Sequence, residues 1–209
     1  MTDQEAANDI NEDIEKMMTL WRNELNAPDI LNYNNDLVVA LLEQIKNQQG
    51  YIDSIGDDRG NLTEERSFTN KLYQMEIDRL RYVLASYLRT RLQKIERYSK
   101  HIVKTTVYLD RLSEKECIYA QQHASLIATH LNNTALSRIP EEHRVLDSDG
   151  MALEPNLDKF VFCQSQEELG QVRCDDRGAE FVQVREKDRH VIRYRSISNF
   201  VETDQVFLI

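Results

Sequence analysis

The sequence is poor in the residues that build phosphate-binding loops, disulfide frames and membrane spans. Its six glycines form neither a GxGxxG pattern nor a P-loop. Its three cysteines are odd in number and widely spaced, which favours reduced thiols in a cytosolic or nuclear protein. No apolar run approaches about 18 residues, and the acidic N-terminus lacks the apolar segment of a signal peptide. We therefore expect a protein with no membrane association.

Patterns typical of metal sites and of nucleophilic enzymes are also missing. There is no CxxC pair, and a zinc site needs more ligands at closer spacing than His123 and His130 provide. The five histidines have no local relation to a serine or cysteine that would indicate a nucleophile and its base. The sequence predicts no catalytic residue, no metal ligand and no cofactor, and hence a protein that is not an enzyme.

The composition is instead acidic, highly charged and suited to helices. The net charge is −10 over 209 residues, which argues against a dedicated nucleic-acid binder, whose affinity depends on neutralising phosphates. The exception is the basic segment 89–100, whose cations are Arg89, Arg91, Lys94, Arg97 and Lys100. Since these cations do not share one helix face, a mixture of surface charges and interface ion-pair partners is favoured, with DNA binding as the alternative.

One long helix is predicted from Asn61, as N-cap, to about Lys100. It is apolar on two sides, and such a helix is buried on two sides. One face carries Phe68, Leu72, Met75, Tyr82 and Val83. The other carries Tyr73, Ile77, Leu80, Leu84, Tyr87, Ile95 and Tyr98, and Leu88 and Leu92 widen it. The chain's own core can cover one side, whereas the other needs more helices from this chain or from another.

Shorter helices flank the long one. Apolar spacing predicts a helix from Ile10 that stops before Pro28, and a second over about Asp36 to Ile55. Residues 101–110 are rich in β-branched side chains, yet helix remains the expectation there. Ser113 and Glu116 have the spacing of a capping box, which predicts a further helix after them.

The character of the chain changes after Pro140. A polar, turn-prone linker is followed by short strand patterns and one helical turn around Ser198 to Glu202. The predicted strands are Phe160–Cys163, Gln171–Cys174, Glu180–Arg185, Val191–Tyr194 and Val206–Ile209. The predicted fold class is α+β, an N-terminal all-α helical bundle with one very long helix followed by a small β-rich domain. The boundaries are 1–144 for the helical domain (with 1–9 disordered), 145–157 for a flexible linker and 158–209 for the β-domain.

Several segments in this order resemble a known family. They are LWRNELNAPDIL (Leu20–Leu31), YQMEIDRLRYVLASYLRTRLQKIERY (Tyr73–Tyr98), the capping box at Ser113, LSRIP (Leu136–Pro140) and IRYRSISNFVETDQVFLI (Ile192–Ile209). Together they resemble the fourth subunit of the GINS complex, the Sld-five family. The resemblance covers most of the chain, and YLRTRLQKIE is its most specific piece.

The resemblance implies a function and a set of partners. The helical and β-domains would be the A-type and B-type domains of a GINS subunit, in a heterotetramer with the three other GINS subunits. That complex would act without catalysis in the nucleus, as part of the CMG helicase in initiation and elongation of DNA replication. Further expected partners are the MCM helicase ring, the remaining CMG component and, through the assembled complex, replisome factors such as DNA polymerase epsilon. Sequence-specific DNA binding by the chain itself is not expected. The alternative is a helical DNA-binding or other replication scaffold protein that uses segment 89–100.

Two sets of residues are candidates for these roles. The candidate partner interface consists of Trp21, Tyr73, Ile77, Leu80, Leu84, Tyr87, Leu88, Arg91, Ile95 and Tyr98. The candidate anchors of the β-domain are Tyr194, Ile197, Phe200, Val206 and Leu208. The chain ends on apolar residues, so we expect its C-terminus to be tied into the sheet.

Overall fold

The computed structural model describes residues 3–57, 63–140, 153–174 and 181–209. Its helices are α1 Asp3–Asn26, α2 Asn35–Asp57, α3 Glu64–Lys104, α4 Thr106–Asp110, α5 Glu114–Thr134 and α6 Tyr194–Glu202, with a 3-10 turn over Leu136–Arg138. Its strands are β1 Phe160–Ser165, β2 Gly170–Arg173, β3 Phe181–Val184, β4 Arg189–Arg193 and β5 Val206–Leu208. In the described parts of the chain, no helix is both long enough and apolar enough to span a membrane. A helical region followed by a small antiparallel β-region confirms the predicted α+β fold class.

The helix ends follow local chemistry. The Asn34 side chain accepts a hydrogen bond of 3.1 Å from the Leu37 amide at the start of α2, as an N-cap does. At the start of α3 the Thr63 hydroxyl oxygen lies 3.4 Å from the Arg66 amide nitrogen that donates to it. The predicted cap Asn61 lies outside the described residues.

The long helix α3 runs further than predicted and changes direction near its end. Tyr98 has non-helical backbone angles (φ −113°, ψ 17°) inside it, although the helix contains no proline. After Lys104 the chain is extended at Thr105 and then forms the short α4. The prediction of helix over residues 101–110 is therefore confirmed, with a break at one β-branched residue.

The capping box at the start of α5 is confirmed. The Ser113 hydroxyl accepts from the Glu116 amide at 3.3 Å, and the Glu116 carboxylate accepts from the Ser113 amide at 2.9 Å. These two bonds satisfy two donors that a helix start otherwise leaves unpaired.

The five strands form two antiparallel sheets. The larger sheet has the order β4-β1-β5, and β2 pairs with β3 in the smaller one. Val161 of β1 lies opposite Ile192 of β4, and Cys163 lies opposite Leu208 of β5. Each of the five predicted segments overlaps one strand, but Tyr194 begins α6 and does not end β4. The nine-residue α6 is longer than the predicted single turn.

The described residues belong to two compact units. The first includes α1 up to Trp21 and the segment Asn34–Leu88, and the second consists of Arg22–Tyr33 and Arg89–Ile209. In the first unit, Met17 of α1, Leu41 and Ile45 of α2, and Val83 and Leu84 of α3 surround one small apolar cavity. These five side chains are all buried.

The second unit has a core that joins the strands to the segment after α1. Its buried cluster contains Ala27, Leu31, Val161, Cys163, Val172, Val184, Ile192, Tyr194, Ile197, Val201, Val206 and Leu208. A second cluster of this unit contains Ile30, Ile95, Ile102 and Ala120. The segment between α1 and α2 thus contributes to the β-domain core as well as to the helical core. The domain boundaries given above stay predictions.

Replacing Leu208 by alanine should lower the free energy of unfolding of the second unit by about 2–5 kcal/mol, because a fully buried leucine leaves a cavity. The measurement is chemical denaturation together with amide hydrogen exchange in β1 and β5. The exposed neighbour Ile209 is the matched control, and Ile209→Ala should change the free energy by at most about 0.5 kcal/mol. Equal effects of the two changes would contradict the burial of β5.

Candidate interaction surfaces and the buried ion network

Arg91 of α3 is the centre of a buried ion network in the second unit. Its side chain has 0% exposure. Nε and Nη2 donate to the two oxygens of Glu116 at 2.8 and 3.0 Å. Nη1 donates to Glu24 at 3.1 Å and to the Leu31 carbonyl at 2.7 Å, and Nη2 also reaches the Arg111 carbonyl at 3.1 Å. A guanidinium has five N–H donors, and here there is an acceptor for each of them.

Lys94, one turn further along α3, binds the same segment. Its ammonium donates to the Glu24 carboxylate at 2.9 Å, to the Asp29 carbonyl at 2.7 Å and to the Glu24 carbonyl. Burial lowers the pKa of Lys94, and the Glu24 carboxylate opposes that shift by favouring the charged form. All three ammonium donors therefore have acceptors, which lie in α1 and in the segment that follows it.

Arg111, which follows α4, extends the network to the β-domain. Its guanidinium donates to Asp29 at 3.1 Å, to the Ile30 carbonyl at 3.1 Å and to Glu202 at the end of α6. Burial raises the pKa of the Asp29 carboxyl, and the charges of Arg111 and Lys94 counteract this. The pKa of the neighbouring Tyr194 hydroxyl is raised by its burial and by Asp29, so tyrosine stays neutral beside the carboxylate.

A neutral hydrogen bond ties the C-terminal strand to the same place. The Asn23 side-chain oxygen accepts from the Leu208 amide at 2.8 Å, and both residues are buried. The network therefore holds the segment after α1 against α3, α5 and the β-domain together. Buried ion pairs contribute little net stability, but removing one partner leaves an uncompensated buried charge at high cost.

The basic segment 89–100 is divided by this network. Arg91 and Lys94 are ion-pair partners inside the chain, so they offer no phosphate-binding surface. The Arg97 guanidinium lies 5.6 Å from the centre of the Tyr98 ring. The two sequestered cations lie between Arg89 and Arg97, so the segment does not present a continuous cationic face of the kind that binds DNA backbones.

Nine of the ten candidate interface residues are buried or half-buried within the chain itself. Ile77, Leu84, Tyr87, Arg91 and Ile95 are buried, Trp21, Leu80, Leu88 and Tyr98 are half-buried, and Tyr73 is exposed. Their contact with a partner stays a prediction. The buried members of the set have no exposed surface for a partner, so their role in an interface would be to support the exposed residues that pack over them. Of the candidate β-domain anchors, Tyr194, Ile197, Val206 and Leu208 lie in one buried cluster, and Phe200 packs against it.

The opposite face of α3 is the one that the first unit leaves exposed. Phe68, Leu72, Met75 and Tyr82 are all exposed, and Met75 reaches 67%. Their spacing of four, three and seven residues places them along one stripe of alternating four- and three-residue intervals. Arg79 occupies the one position of this stripe that is not apolar. We call these four residues the α3 seam. The sequence predicts both apolar faces, and the candidate interface residues lie on the other one.

The C-terminal half of α5 forms a second exposed apolar surface, in the second unit. Every residue from Ser125 to Ala135 is exposed. Leu126, Ile127 and Leu131 are among them, and we call these three residues the α5 patch. Helical turns with so little buried surface are marginal in water by themselves, which makes this half-helix a candidate surface for a partner.

Metal chemistry has no support in the described ranges. Between residues 3 and 209, leaving out the undescribed gaps, no group of three or more His, Cys, Asp or Glu side chains is placed to hold a metal ion.

Comparison with known proteins identifies similar sequences over nearly the whole chain. Residues 37–135 match a family profile described as GINS complex protein helical bundle domain, and residues 155–209 match one described as DNA replication complex GINS protein SLD5 C-terminus. The DNA replication complex GINS protein SLD5 of Arabidopsis thaliana is 32% identical over 205 residues, which are 94% of this chain and 91% of that protein. The protein of the same name from Dictyostelium discoideum is 30% identical, with 94% and 91% covered. The Schizosaccharomyces pombe protein is 29% identical, with 98% and 95% covered.

Replacing Arg91 by methionine should lower the free energy of unfolding by about 3–5 kcal/mol, because Glu24 and Glu116 then stay buried without their cation. Thermal and denaturant unfolding measure this loss. Arg89→Met is the matched control, since Arg89 is exposed on the same helix, and it should change stability by at most about 0.5 kcal/mol.

Adding Glu116→Gln to Arg91→Met should recover part of that loss, since it removes one unpaired carboxylate. An Arg91→Met protein as stable as the Arg89→Met control would show that the network is not buried in solution.

Proposed function

Because the chain belongs to the SLD5 family of DNA replication complex GINS proteins, we propose that it is a non-catalytic, structural subunit of the heterotetrameric GINS complex. The proposal extends to an essential accessory role in the CMG helicase, during both initiation and elongation of replication. Its main support is similarity along 94% of the chain to proteins that are named as GINS subunits. The exposed α3 seam and α5 patch agree with a subunit whose apolar surfaces are covered by other subunits in a complex.

The proposed partners follow from that role. They are the three other GINS subunits, the MCM helicase ring and the remaining CMG component. Replisome factors such as DNA polymerase epsilon would be reached through the assembled complex, and the protein would act in the nucleus. This chain would supply surfaces and geometry and no chemical step. The division of segment 89–100 by the buried network supports a protein-binding role over a DNA-binding one.

The α3 seam is the first surface that we assign to a partner subunit. Its side chains repeat at helical intervals of four and three residues, and a stripe of this kind packs against one other helix. The side of α3 that faces the core is already used by Ile77 and Leu84, which are buried. One apolar side of α3 thereby packs within its own unit, and the other apolar side is left to pack against a partner.

The α5 patch is the second assigned surface. The first half of α5 is held in the second unit by Glu116 and Ala120, which are buried. Its second half has only exposed residues, with Leu126, Ile127 and Leu131 grouped within two turns. Burying these side chains against another subunit would remove apolar area from water at about 25 cal/mol per Å².

Met75→Glu should weaken assembly with the other GINS subunits by about tenfold or more, because it introduces a charge into the centre of the α3 seam. It should leave the fold of the free chain intact, since Met75 is exposed there. Co-expression of the four subunits, followed by native mass spectrometry and a dilution series, measures assembly. Circular dichroism of the free variant measures folding.

Ala85→Glu is the matched control, as it adds the same charge at an exposed α3 position outside the seam. Tyr73→Glu tests the predicted interface face in the same assay. Undiminished assembly of Met75→Glu, combined with loss in Tyr73→Glu, would move the interface to the face that carries the candidate interface residues. A wild-type chain that remains a monomer beside the other three subunits would refute the proposed function.

A further inference from the structure

The outer face of the three-stranded sheet in the second unit is apolar and exposed. Along β1 the side chains alternate, with Val161 and Cys163 directed into the core. Phe160 and Phe162 face the other way and are 61% and 64% exposed. An antiparallel sheet with one solvated face normally carries polar residues there, so two adjacent exposed phenylalanines need another explanation.

The strand register places further apolar residues beside these phenylalanines. Val191 of β4 lies opposite Phe162 and is exposed. Phe207 of β5 lies opposite Gln164 on the same face. Ile209 follows the inward-facing Leu208, donates its amide to the Phe162 carbonyl at 3.0 Å and is exposed. Phe160, Phe162, Val191, Phe207 and Ile209 form one contiguous surface, which we call the sheet face.

The two charged residues at the paired outer positions of this sheet are both arginines. Arg193 lies opposite Phe160 in the register, and its guanidinium is 5.9 Å from the centre of that ring. Arg189 lies opposite Gln164, and its Nε donates to the Gln164 amide oxygen at 3.2 Å. No acidic residue occupies a paired outer position of this sheet. In a chain of net charge −10, a face with two arginines and no carboxylate is complementary to an acidic surface.

The shape of this surface selects the kind of occupant. A sheet face is covered in proteins by a helix or by a second sheet. Three strands at about 4.8 Å spacing give a face about as wide as one helix of about 10 Å diameter. Its two arginines lie along β4 at one edge of the sheet, so they would meet acidic residues beside the apolar stripe of such a helix.

We propose that the sheet face docks an amphipathic helix with an acidic flank, contributed by another subunit of the GINS complex. This inference rests on the proposed function and adds a third surface, of stated chemistry, to the α3 seam and the α5 patch. A single-stranded nucleic acid fits less well. Val191 and Ile209 offer no ring for base stacking, and the net negative charge of the chain opposes phosphate binding.

Site-specific photocrosslinking in the assembled complex tests the assignment. The full chain with p-benzoylphenylalanine in place of Phe162 is co-expressed with the three other GINS subunits, and crosslinked peptides are identified by mass spectrometry. The expected result is a crosslink to one amphipathic, acidic helix of another subunit. The same crosslinker in place of the exposed Glu168, in the turn after β1, is the control and should not capture that helix.

A charge reversal supplies the second measurement. Arg193→Glu should lower the yield of the Phe162-position crosslink by about tenfold, because it places a carboxylate against the acidic flank of the helix. Arg193→Lys keeps the positive charge and should retain most of the yield. Equal yields in the two variants would refute the acidic partner.

The outcomes separate this inference from the proposed function. A complex with all four subunits but no inter-subunit crosslink from position 162 would overturn the sheet-face assignment and leave the proposed function intact. A crosslink to residues 141–152 of the same chain, or to added oligo(dT), would also overturn it. Failure of the four chains to assemble at all would refute the proposed function, and this inference with it.

Discussion

The buried guanidinium of Arg91 is the constraint on which the second unit depends. All five of its donors have acceptors, and these come from α1, from the segment after α1, from Arg111 and from the first turn of α5. The Glu116 carboxylate has two roles, because the oxygen that accepts from Arg91 at 3.0 Å also closes the capping box at 2.9 Å. The start of α5 and the path of the preceding segments are therefore coupled. If this unit packs so that water is excluded from Arg91, these acceptors must surround the guanidinium. Otherwise the buried charge stays unpaired, at a high cost in free energy.

The β-domain is tied to the same constraint. A module of about fifty residues has too little interior to be stable easily by itself, and here its core includes Ala27 and Leu31 from the segment after α1. Arg111 joins Asp29 of that segment to Glu202 of α6, and Asn23 accepts from the amide of Leu208. The small domain thus depends on apolar side chains and hydrogen-bonding partners that the helical part of the chain contributes. Its outer sheet face stays available for other contacts.

The two sides of α3 illustrate how a subunit divides its apolar surface. The side with Ile77, Leu84 and Ile95 is buried, and the α3 seam on the opposite side is exposed. Helical spacing alone marks both sides as apolar, so it predicts that a partner is needed but not where the partner binds. The choice depends on the rest of the chain. Met17, Leu41 and Ile45 surround the same small cavity as Leu84 in the first unit, and the seam therefore remains for another helix.

Much of the secondary structure follows from the sequence alone, because it depends on local interactions between neighbouring residues. The capping box at Ser113, the end of α1 before Pro28 and the short strands depend on neighbouring residues, and the described part of the chain contains each of them. The α+β class followed from the same patterns, whereas the family followed from the resemblance of longer segments such as YLRTRLQKIE. Only the tertiary structure decided that Arg91 and Lys94 are internal and which side of α3 is covered. Their partners are distant in sequence, with Glu24 lying 67 residues from Arg91 and Asp29 lying 65 residues from Lys94. Helical periodicity contains no information about such contacts, because they form only when separate segments pack together.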